Sequence, residues 1–473
     1  MRRGQYKGFA GEATIPYALD DYGRGVDQLS GIGPVVFGMS PAWVATTIFA
    51  VTYVSVIAER INRSIIALLG AGLMIIAGVL TQEEAVRGID FNTIALLTGM
   101  MVLVSITRRC GMFEYLAIWS AKKGRARPWA MLAMLSVVTA VVSAFLDNVT
   151  TVLLIAPVTL SVTRELEIPA YPFLFAVVFA SNIGGTATLI GDPPNIIIGS
   201  AANLSFNDFV IHLTPVIAIV MAMQLLLTHL IWGSQLRAKP EARARVMALD
   251  EHTMLVDPPL MRTSLVVLAG VIAAFVLARP LRLEPGTIAL FGAAVLMLCH
   301  NIEHHREMEQ QTVKVTATFN DIDWITIFFF IGLFIIVHGI DVAGMLDLAA
   351  HYLLAATGGD PASTAIVILW GSAVLSAIVD NIPFVAAMVP LIKEMAPHLG
   401  GAEHVLPLWW ALSLGACLGG NGTLVGASAN LAVAGIAERA GIRFSFLTFT
   451  KYGLIVMMVS VGISNLYLWF RYL

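Results

Sequence analysis

Two aspartate-asparagine pairs lie in the middle of long apolar stretches of the chain. They are Asp147-Asn148 and Asp380-Asn381. A carboxylate at the centre of a bilayer costs at least about 2.5 kcal/mol, so it is normally paired or functional. Because a proton or a cation can neutralise such a group, we expect the aspartates to carry a coupling ion, either a proton or a sodium ion held by the two pairs. The alternative is structural, since Asp before a helical stretch is a common N-cap.

A segment rich in glycine, threonine and asparagine follows each pair. Residues 184–195 read GGTATLIGDPPN, and residues 419–430 read GGNGTLVGASAN. Glycine lets the backbone turn or approach closely, and uncharged oxygens and amides suit a sodium ion or a hydrogen-bonding oxyacid. Neither segment contains the Lys of a phosphate-binding loop. For any single side chain, hydrogen bonding between helices is the alternative role.

The pairs and the two segments are predicted to bind the substrate or ion together. The predicted ligands are Asp147, Asn148, Thr150, Thr151, Asn182, Gly184, Gly185, Thr186, Thr188, Asp192, Asn195, Asp380, Asn381, Gly420, Asn421, Thr423, Ser428 and Asn430. No Lys, Arg or His lies among them, so a multivalent anion would be held by helix ends and bound cations alone.

The chain carries little else that could do chemistry. No nucleophile with an acid/base pair and no HExxH zinc motif occurs, so we predict no enzyme activity and no cofactor beyond the coupling ion. Cys110, Cys299 and Cys417 are too few and too scattered for a disulfide framework or a zinc site.

The elements that position these residues are predicted to be transmembrane helices. Of 473 residues, 58% are apolar and only 12% are charged, against about 25% charged in soluble domains. Apolar runs of about 20 residues can cross the hydrocarbon layer of a lipid bilayer. The net charge of -3 is spread over loops and indicates no nucleic-acid partner. Ten spans are predicted, at 42–58, 64–80, 92–107, 171–201, 208–235, 263–278, 286–300, 324–339, 405–438 and 452–471.

The stretches 128–165 and 363–396 differ from the ten spans, because a polar pair interrupts each at its centre. Non-helical backbone persists at membrane depth only where protein or water satisfies it. Each stretch is therefore predicted to be a re-entrant hairpin with the pair at its tip. Residues 1–41 have no apolar core, so we expect an extramembrane segment without a cleavable signal peptide. The first span would then target a multi-pass protein to the plasma membrane.

The two halves of the chain repeat each other. The pairs align at an offset of 233 residues, and the glycine-rich segments align at an offset of 235 with six identities in twelve positions. Residues 108–127 carry six Lys or Arg, whereas the matching residues 339–363 carry none. By the positive-inside rule these segments face opposite sides of the membrane, so the repeat is predicted to be inverted.

The predicted fold class is an all-α polytopic membrane protein with two inverted repeats, each of five spans and one re-entrant hairpin. An odd number of membrane crossings in each half is what an inverted repeat requires. The predicted divisions are an extramembrane segment at 1–41, a first repeat at 42–235, a cytoplasmic linker at 236–262 and a second repeat at 263–473.

The string FLDNVTTVLLIAPVTLSVTRELEIP, followed by SNIGGTATLIGDPPN, resembles the ion transporter superfamily of arsenite permeases, NhaD-type sodium/proton antiporters and the P protein, and is most similar to the P-protein branch. The resemblance covers nearly all of the chain after the first 41 residues. It implies a fold similar to dicarboxylate/sodium symporters, with a scaffold domain (42–107 and 263–339), a transport domain (128–235 and 363–473), an elevator movement and a homodimer formed through the scaffold. In those symporters the tips carry Ser-Asn-Thr, so the aspartates here favour a cation or proton as a direct ligand.

The leading hypothesis is a secondary active transporter that exchanges a small ion or oxyacid, either sodium or arsenite/antimonite, against protons. The first alternative is a sodium-coupled anion or carboxylate symporter, in which the aspartates bind sodium and helix N-termini hold the anion. The second is a passive anion channel or a membrane scaffold. The expected partners are the lipid bilayer and the small substrate.

Overall fold

Only helices and turns occur among the residues that the structure describes, which are 38–58, 60–302, 307–401 and 403–473 of a computed structural model. The predicted extramembrane segment 1–41 lies almost wholly outside this part of the chain. The first half contributes α1 (Pro41–Ile57), α2 (Arg63–Ile76), α3 (Gln82–Arg87), α4 (Phe91–Arg108), α5 (Met112–Lys123), α6 (Pro128–Ser143), α7 (Asn148–Glu165), α8 (Tyr171–Gly185), α9 (Pro193–Ala202) and α10 (Phe206–Trp232).

The second half follows the same order of elements. The linker helix is α11 (Pro240–Ala248), and one extra short helix is α13 (Ala278–Leu281). The others are α12 (Pro258–Val276), α14 (Pro285–Asn301), α15 (Met308–Asn320), α16 (Trp324–Val342), α17 (Met345–Thr357), α18 (Pro361–Ile378), α19 (Asn381–Met395), α20 (Leu406–Gly419), α21 (Ser428–Arg439) and α22 (Phe446–Arg471).

Equivalent helices start at equivalent residues because the same local signals recur. Asp90 and Asp323 are the N-caps of α4 and α16, and each accepts a hydrogen bond from the amide of the Thr three residues later. Such caps satisfy backbone N–H groups that have no partner within the helix. The duplication seen in the sequence is therefore present in the order and the starts of the helices.

Helices of the first half pack against helices of the second half in two equivalent pairs. Helix α4 packs against α14, and its equivalent α16 packs against α2, the equivalent of α14. A Cβ added at Gly99 would lie 2.5 Å from the backbone carbonyl carbon of Ala289, and one added at Gly332 would lie 2.6 Å from that of Ala67. Small residues allow this close approach, which is how helices associate where lipid removes the hydrophobic driving force.

The equivalent helices α4 and α16 run antiparallel to each other. Ser105, near the end of α4, donates a hydrogen bond of 2.8 Å to Asp321, which precedes α16. At the opposite end, Gly88 precedes α4 and packs against His338, in the last turns of α16. The C-terminal end of each helix thus lies beside the N-terminal end of the other.

The predicted spans correspond to helices. Seven helices of the described residues are long and apolar enough to cross a membrane: α4, α10, α12, α16, α18, α19 and α22, with α10 and α19 each extended by a short 3-10 turn. The shorter apolar helices α1, α2 and α14 occupy three further predicted spans. Exposed apolar side chains such as Val51, Val266 and Phe470 cover the outer helices, as a surface in contact with lipid requires.

The predicted breaks are present. Helix α8 ends at Gly185 and α9 begins at Pro193, and in the second half α20 ends at Gly419 and α21 begins at Ser428. The stretches predicted as hairpins are two helix-turn-helix pairs, α6-α7 and α18-α19. Helices α18 and α19 are each long enough to cross a bilayer, so their re-entrant placement stays a prediction. The equivalent segments between the third span and the first helix of each pair are not plain loops, because they contain α5 and α17.

Candidate functional site

Both aspartates of the polar pairs cap a helix. Asp147 precedes α7 and accepts a hydrogen bond of 2.9 Å from the amide of Thr150, whose hydroxyl also donates to the carboxylate. Asp380 precedes α19 and accepts a 3.3 Å bond from the amide of Ile382. The structural role considered for these residues is therefore present. A cap uses only part of a carboxylate's acceptor capacity, so it leaves room for a second role.

Asp380 is also one half of an ion pair. The Nη1 atom of Arg63 lies 3.0 Å from Oδ2 of Asp380 and 3.1 Å from Oγ of Ser428. Its Nη2 atom donates to the hydroxyl of Thr326 at 3.0 Å, and the guanidinium lies over the ring of Phe329. Helix α2 thus supplies a cation that compensates the second aspartate.

Arg63 is not among the predicted ligands, because it lies outside the hairpin tips and the glycine-rich breaks. The one local signal was a lone Arg at the first position of an apolar helix. An Arg there normally extends towards the membrane surface and does not bind a carboxylate. Its partner lies 317 residues away in the chain, so no local pattern could have revealed the pair.

Asp147 faces a cavity of about 260 Å³ between the two halves. The cavity is also lined by Asn148, Thr150, Asp192, Asn381 and Ser428 of the predicted ligands, together with Arg63. Further carboxylates and a second guanidinium come from outside the predicted set: Asp321, Asp323 and Arg108. Asp380 faces a neighbouring cavity of about 360 Å³, which shares Arg63 and Ser428 with the first.

The asparagines of the two halves meet in a buried network. The amide nitrogen of Asn182 donates to the side-chain oxygens of Asn421 and Asn430, each at 3.0 Å. Its oxygen accepts a 3.3 Å bond from Asn148. All four residues are at most 4% exposed. Because an unpaired buried amide is costly, this network holds the first half against the second. Of its four asparagines, Asn148 also lines the cavity.

Asn195 and its equivalent Asn430, which also belongs to the network, close the broken helices. Asn195 donates to the carbonyls of Thr186 and Thr188 at 3.1 and 2.9 Å, and its equivalent Asn430 donates to those of Gly420 and Thr423 at 2.8 and 2.9 Å. A helix that stops inside a protein leaves carbonyls without partners. These amides supply the missing donors, which explains why Asn stands at the same place in both segments.

Several predicted ligands hold the backbone in place. The hydroxyls of Thr188 and Thr423 donate to the carbonyls of Ala144 and Ala377, which tie each break to the preceding helix pair. Thr186 donates to a carbonyl of its own helix. Gly184, Gly185 and Gly420 lie where a Cβ would clash with backbone atoms. The hydroxyl of Thr151 is buried and has no partner among the described residues. Their roles as ligands stay predictions.

The chain is similar to a set of membrane transporters. Residues 53–415 match a family described as citrate transporter. An uncharacterized transporter of Mycobacterium tuberculosis is 43% identical over 433 residues, which cover 91% of this chain and 98% of that protein. The P protein of Sus scrofa is 33% identical over 506 residues, which cover 90% of this chain and 59% of that protein.

Two solved structures share the fold. The YdaH transporter of Alcanivorax borkumensis has a TM-score of 0.53 at 14% identity, covering 91% of this chain and 98% of that one. MtrF of Neisseria gonorrhoeae, described with a class of antimetabolite efflux pumps, has a TM-score of 0.54 at 13% identity, covering 94% of this chain and 97% of that one. At these identities the likeness concerns the fold alone.

Proposed function

Because the chain belongs to the citrate transporter family of multi-pass membrane transporters, we propose that it is a secondary active transporter that exchanges a small ion or oxyacid, of the sodium/proton or arsenite/antimonite type, through coupling at membrane-embedded aspartates. One observation supports this most strongly. Asp147, Asp192 and Asp323 line the cavity, and none of them has an ion-pair partner among the described residues. Arg63 and Arg108 line it too, but each already faces another carboxylate. The cavity therefore carries excess negative charge, which attracts a cation or a proton.

The arrangement of the halves supports an inverted repeat within this proposal. Equivalent transmembrane helices run in opposite directions only if the halves are inverted, and α4 and α16 run antiparallel. Arg63 belongs to the proposed scaffold domain, whereas Asp380 and Ser428 belong to the proposed transport domain. An elevator movement would break this contact, so the pair is a candidate for the interaction that holds one end state. Dimerisation through the scaffold remains part of the proposal.

A sodium-coupled carboxylate symporter is the second candidate. Two observations favour it: the family is described as citrate transporter, and the guanidinium of Arg63 lines the cavity. Arg binds carboxylates through two parallel hydrogen bonds, so a carboxylate substrate could compete with Asp380 for it. In this version the remaining aspartates would bind sodium.

A flux screen in proteoliposomes distinguishes the two candidates. The purified protein is tested with sodium, lithium, arsenite and citrate under imposed pH and sodium gradients. The leading proposal expects pH-driven movement of sodium, lithium or arsenite, with coupling lost in Asp147→Asn and kept in the control Asp360→Asn, which alters an exposed cap outside the cavity. Citrate uptake that requires sodium and ignores the pH gradient would support the symporter. Undiminished pH-driven flux in Asp147→Asn would refute coupling through this residue.

A further inference from the structure

Asp192 occupies a capping position without capping its helix. It directly precedes α9, but its side chain accepts no hydrogen bond from the first turn of that helix. The other aspartates that precede α-helices in the described part of the chain each accept a bond from a backbone amide two or three residues later: Asp90, Asp147, Asp257, Asp323, Asp360 and Asp380.

The two residues after Asp192 explain the exception. Pro193 and Pro194 have no backbone N–H, so they remove donors that an N-cap side chain would otherwise use. The next donor, the amide of Asn195, is taken by the main-chain carbonyl of Asp192 at 3.0 Å. The sequence Asp-Pro-Pro-Asn thus places a carboxylate at a helix start and leaves it free of the helix.

The second half shows that the fold does not need this carboxylate. Ala427 stands at the equivalent position before α21, with φ -150° and ψ 140°, against φ -143° and ψ 130° at Asp192. The amide of Asn430 donates to the carbonyl of Ala427 at 3.0 Å, just as Asn195 does to Asp192. An alanine therefore supports the same backbone conformation, so this conformation does not require the carboxylate of Asp192.

The carboxylate of Asp192 is buried and poorly compensated. The residue is 1% exposed, its Oδ1 has a 3.4 Å contact from the amide of Asn381, and its Oδ2 has no hydrogen-bond partner among the described residues. Its other polar neighbour is the thiol of Cys417, a weak donor. Asp380 and Asp147 are close enough to repel a negative charge on it, and the nearby guanidinium of Arg63 is already paired with Asp380. A bare carboxylate in such a place is costly unless a positive charge joins it.

We propose that Asp192 is the binding site of the coupling ion, a monovalent cation that is either a proton or an alkali ion, in the cavity between the two halves. This inference rests on the proposed function only where it says that the bound ion drives transport. Binding of the ion to Asp192 does not itself require transport. Asp192 lines the same cavity as Asp147. The carboxylate of Asp147 accepts hydrogen bonds from Thr150. The carboxylate of Asp192 has fewer donors, so it has the greater need of a bound cation.

The test measures the unfolding temperature of the full-length protein, which rises when an ion binds the folded state only. Wild type, Asp192→Asn and the exposed-cap control Asp360→Asn are compared in sodium, lithium and choline chloride at equal ionic strength, and across pH. If the ion is an alkali ion, sodium or lithium raises the unfolding temperature of wild type and of the control but not of Asp192→Asn. If it is a proton, the salts have no differential effect, and the unfolding temperature of wild type falls relative to Asp192→Asn as the pH rises.

Equal salt and pH responses in wild type and Asp192→Asn would overturn the proposal. If the Asp192→Asn variant fails to fold, the comparison is repeated with Asp192→Ala, which carries the residue found at position 427. The outcome is separable from that of the flux screen. A wild type that moves no ion would refute transport, whereas a loss of cation response confined to the Asp192 variants would still establish the site.

Discussion

Arg63 and Asp380 lie 317 residues apart in the chain and 3.0 Å apart in the structure. Arg63 opens α2, whereas the equivalent helix of the second half, α14, opens with Pro285. The aspartate of the first pair, Asp147, therefore has no matching guanidinium. The duplication has kept the backbone of the two halves alike and made their charges different. Asp380 has an ion-pair partner, whereas Asp147 lines the cavity without one among the described residues.

Removing Arg63 should destabilise the protein. The Arg63→Gln change leaves the carboxylate of Asp380, whose side chain is 16% exposed, without its cation. Breaking a largely buried pair from one side typically costs on the order of 3 kcal/mol. We expect a clear loss in unfolding free energy, which the double variant Arg63→Gln/Asp380→Asn partly restores. The matched control is Arg87→Gln, because its pair with Glu83 is exposed and contributes little. Equal losses of unfolding free energy in Arg63→Gln and Arg87→Gln would contradict the role assigned to Arg63.

Asn182 should be the most sensitive residue of the amide network. The Asn182→Ala change leaves the side chains of Asn148, Asn421 and Asn430 with fewer partners in a buried site. Each unsatisfied buried group costs about 1 to 3 kcal/mol, so a loss of at least about 2 kcal/mol is expected. Ser136→Ala is the control, because that buried hydroxyl has no partner among the described residues. A thermal unfolding series that ranks Ser136→Ala as the more harmful change would refute the network's importance.

Features set by local sequence were predictable, and features set by distant contacts were not. Segments 184–195 and 419–430 do break helices, because the glycines of both segments and the prolines of the first act on their own backbone. The short helix α5 was missed because its 12 residues include Glu114, Lys122 and Lys123, which hide an apolar face. The role of Asn182 depends on partners 239 and 248 residues away, which only the packing of the two halves brings together.

Gly184 and Gly419 should not tolerate a methyl group. A Cβ would lie 2.2 Å from the carbonyl oxygen of Ala140 in the first case and 2.6 Å from that of Ala373 in the second. Backbone atoms cannot move aside cheaply, so Gly184→Ala and Gly419→Ala are expected to lower the yield of folded protein sharply. Gly371→Ala is the control, because nothing lies within 4 Å of its added Cβ. Since alanine favours helix by roughly 0.5 to 1 kcal/mol over glycine, that variant should be neutral or slightly stabilised. Size-exclusion profiles and unfolding temperatures report the difference.

The proposed inversion can be tested by labelling from one side of the membrane. Lys123 ends α5, Asp360 precedes α18, and both are exposed. In a variant with the three native cysteines replaced by alanine, Lys123→Cys and Asp360→Cys are exposed to a membrane-impermeant maleimide on intact cells. Because basic segments stay on the cytoplasmic side, we expect label on Asp360→Cys at once and on Lys123→Cys only after permeabilisation. Two halves in tandem would put these equivalent segments on the same side, and both cysteines would then label together. The antiparallel run of α4 and α16 favours labelling of Asp360→Cys alone, and the labelling pattern decides the orientation of the halves.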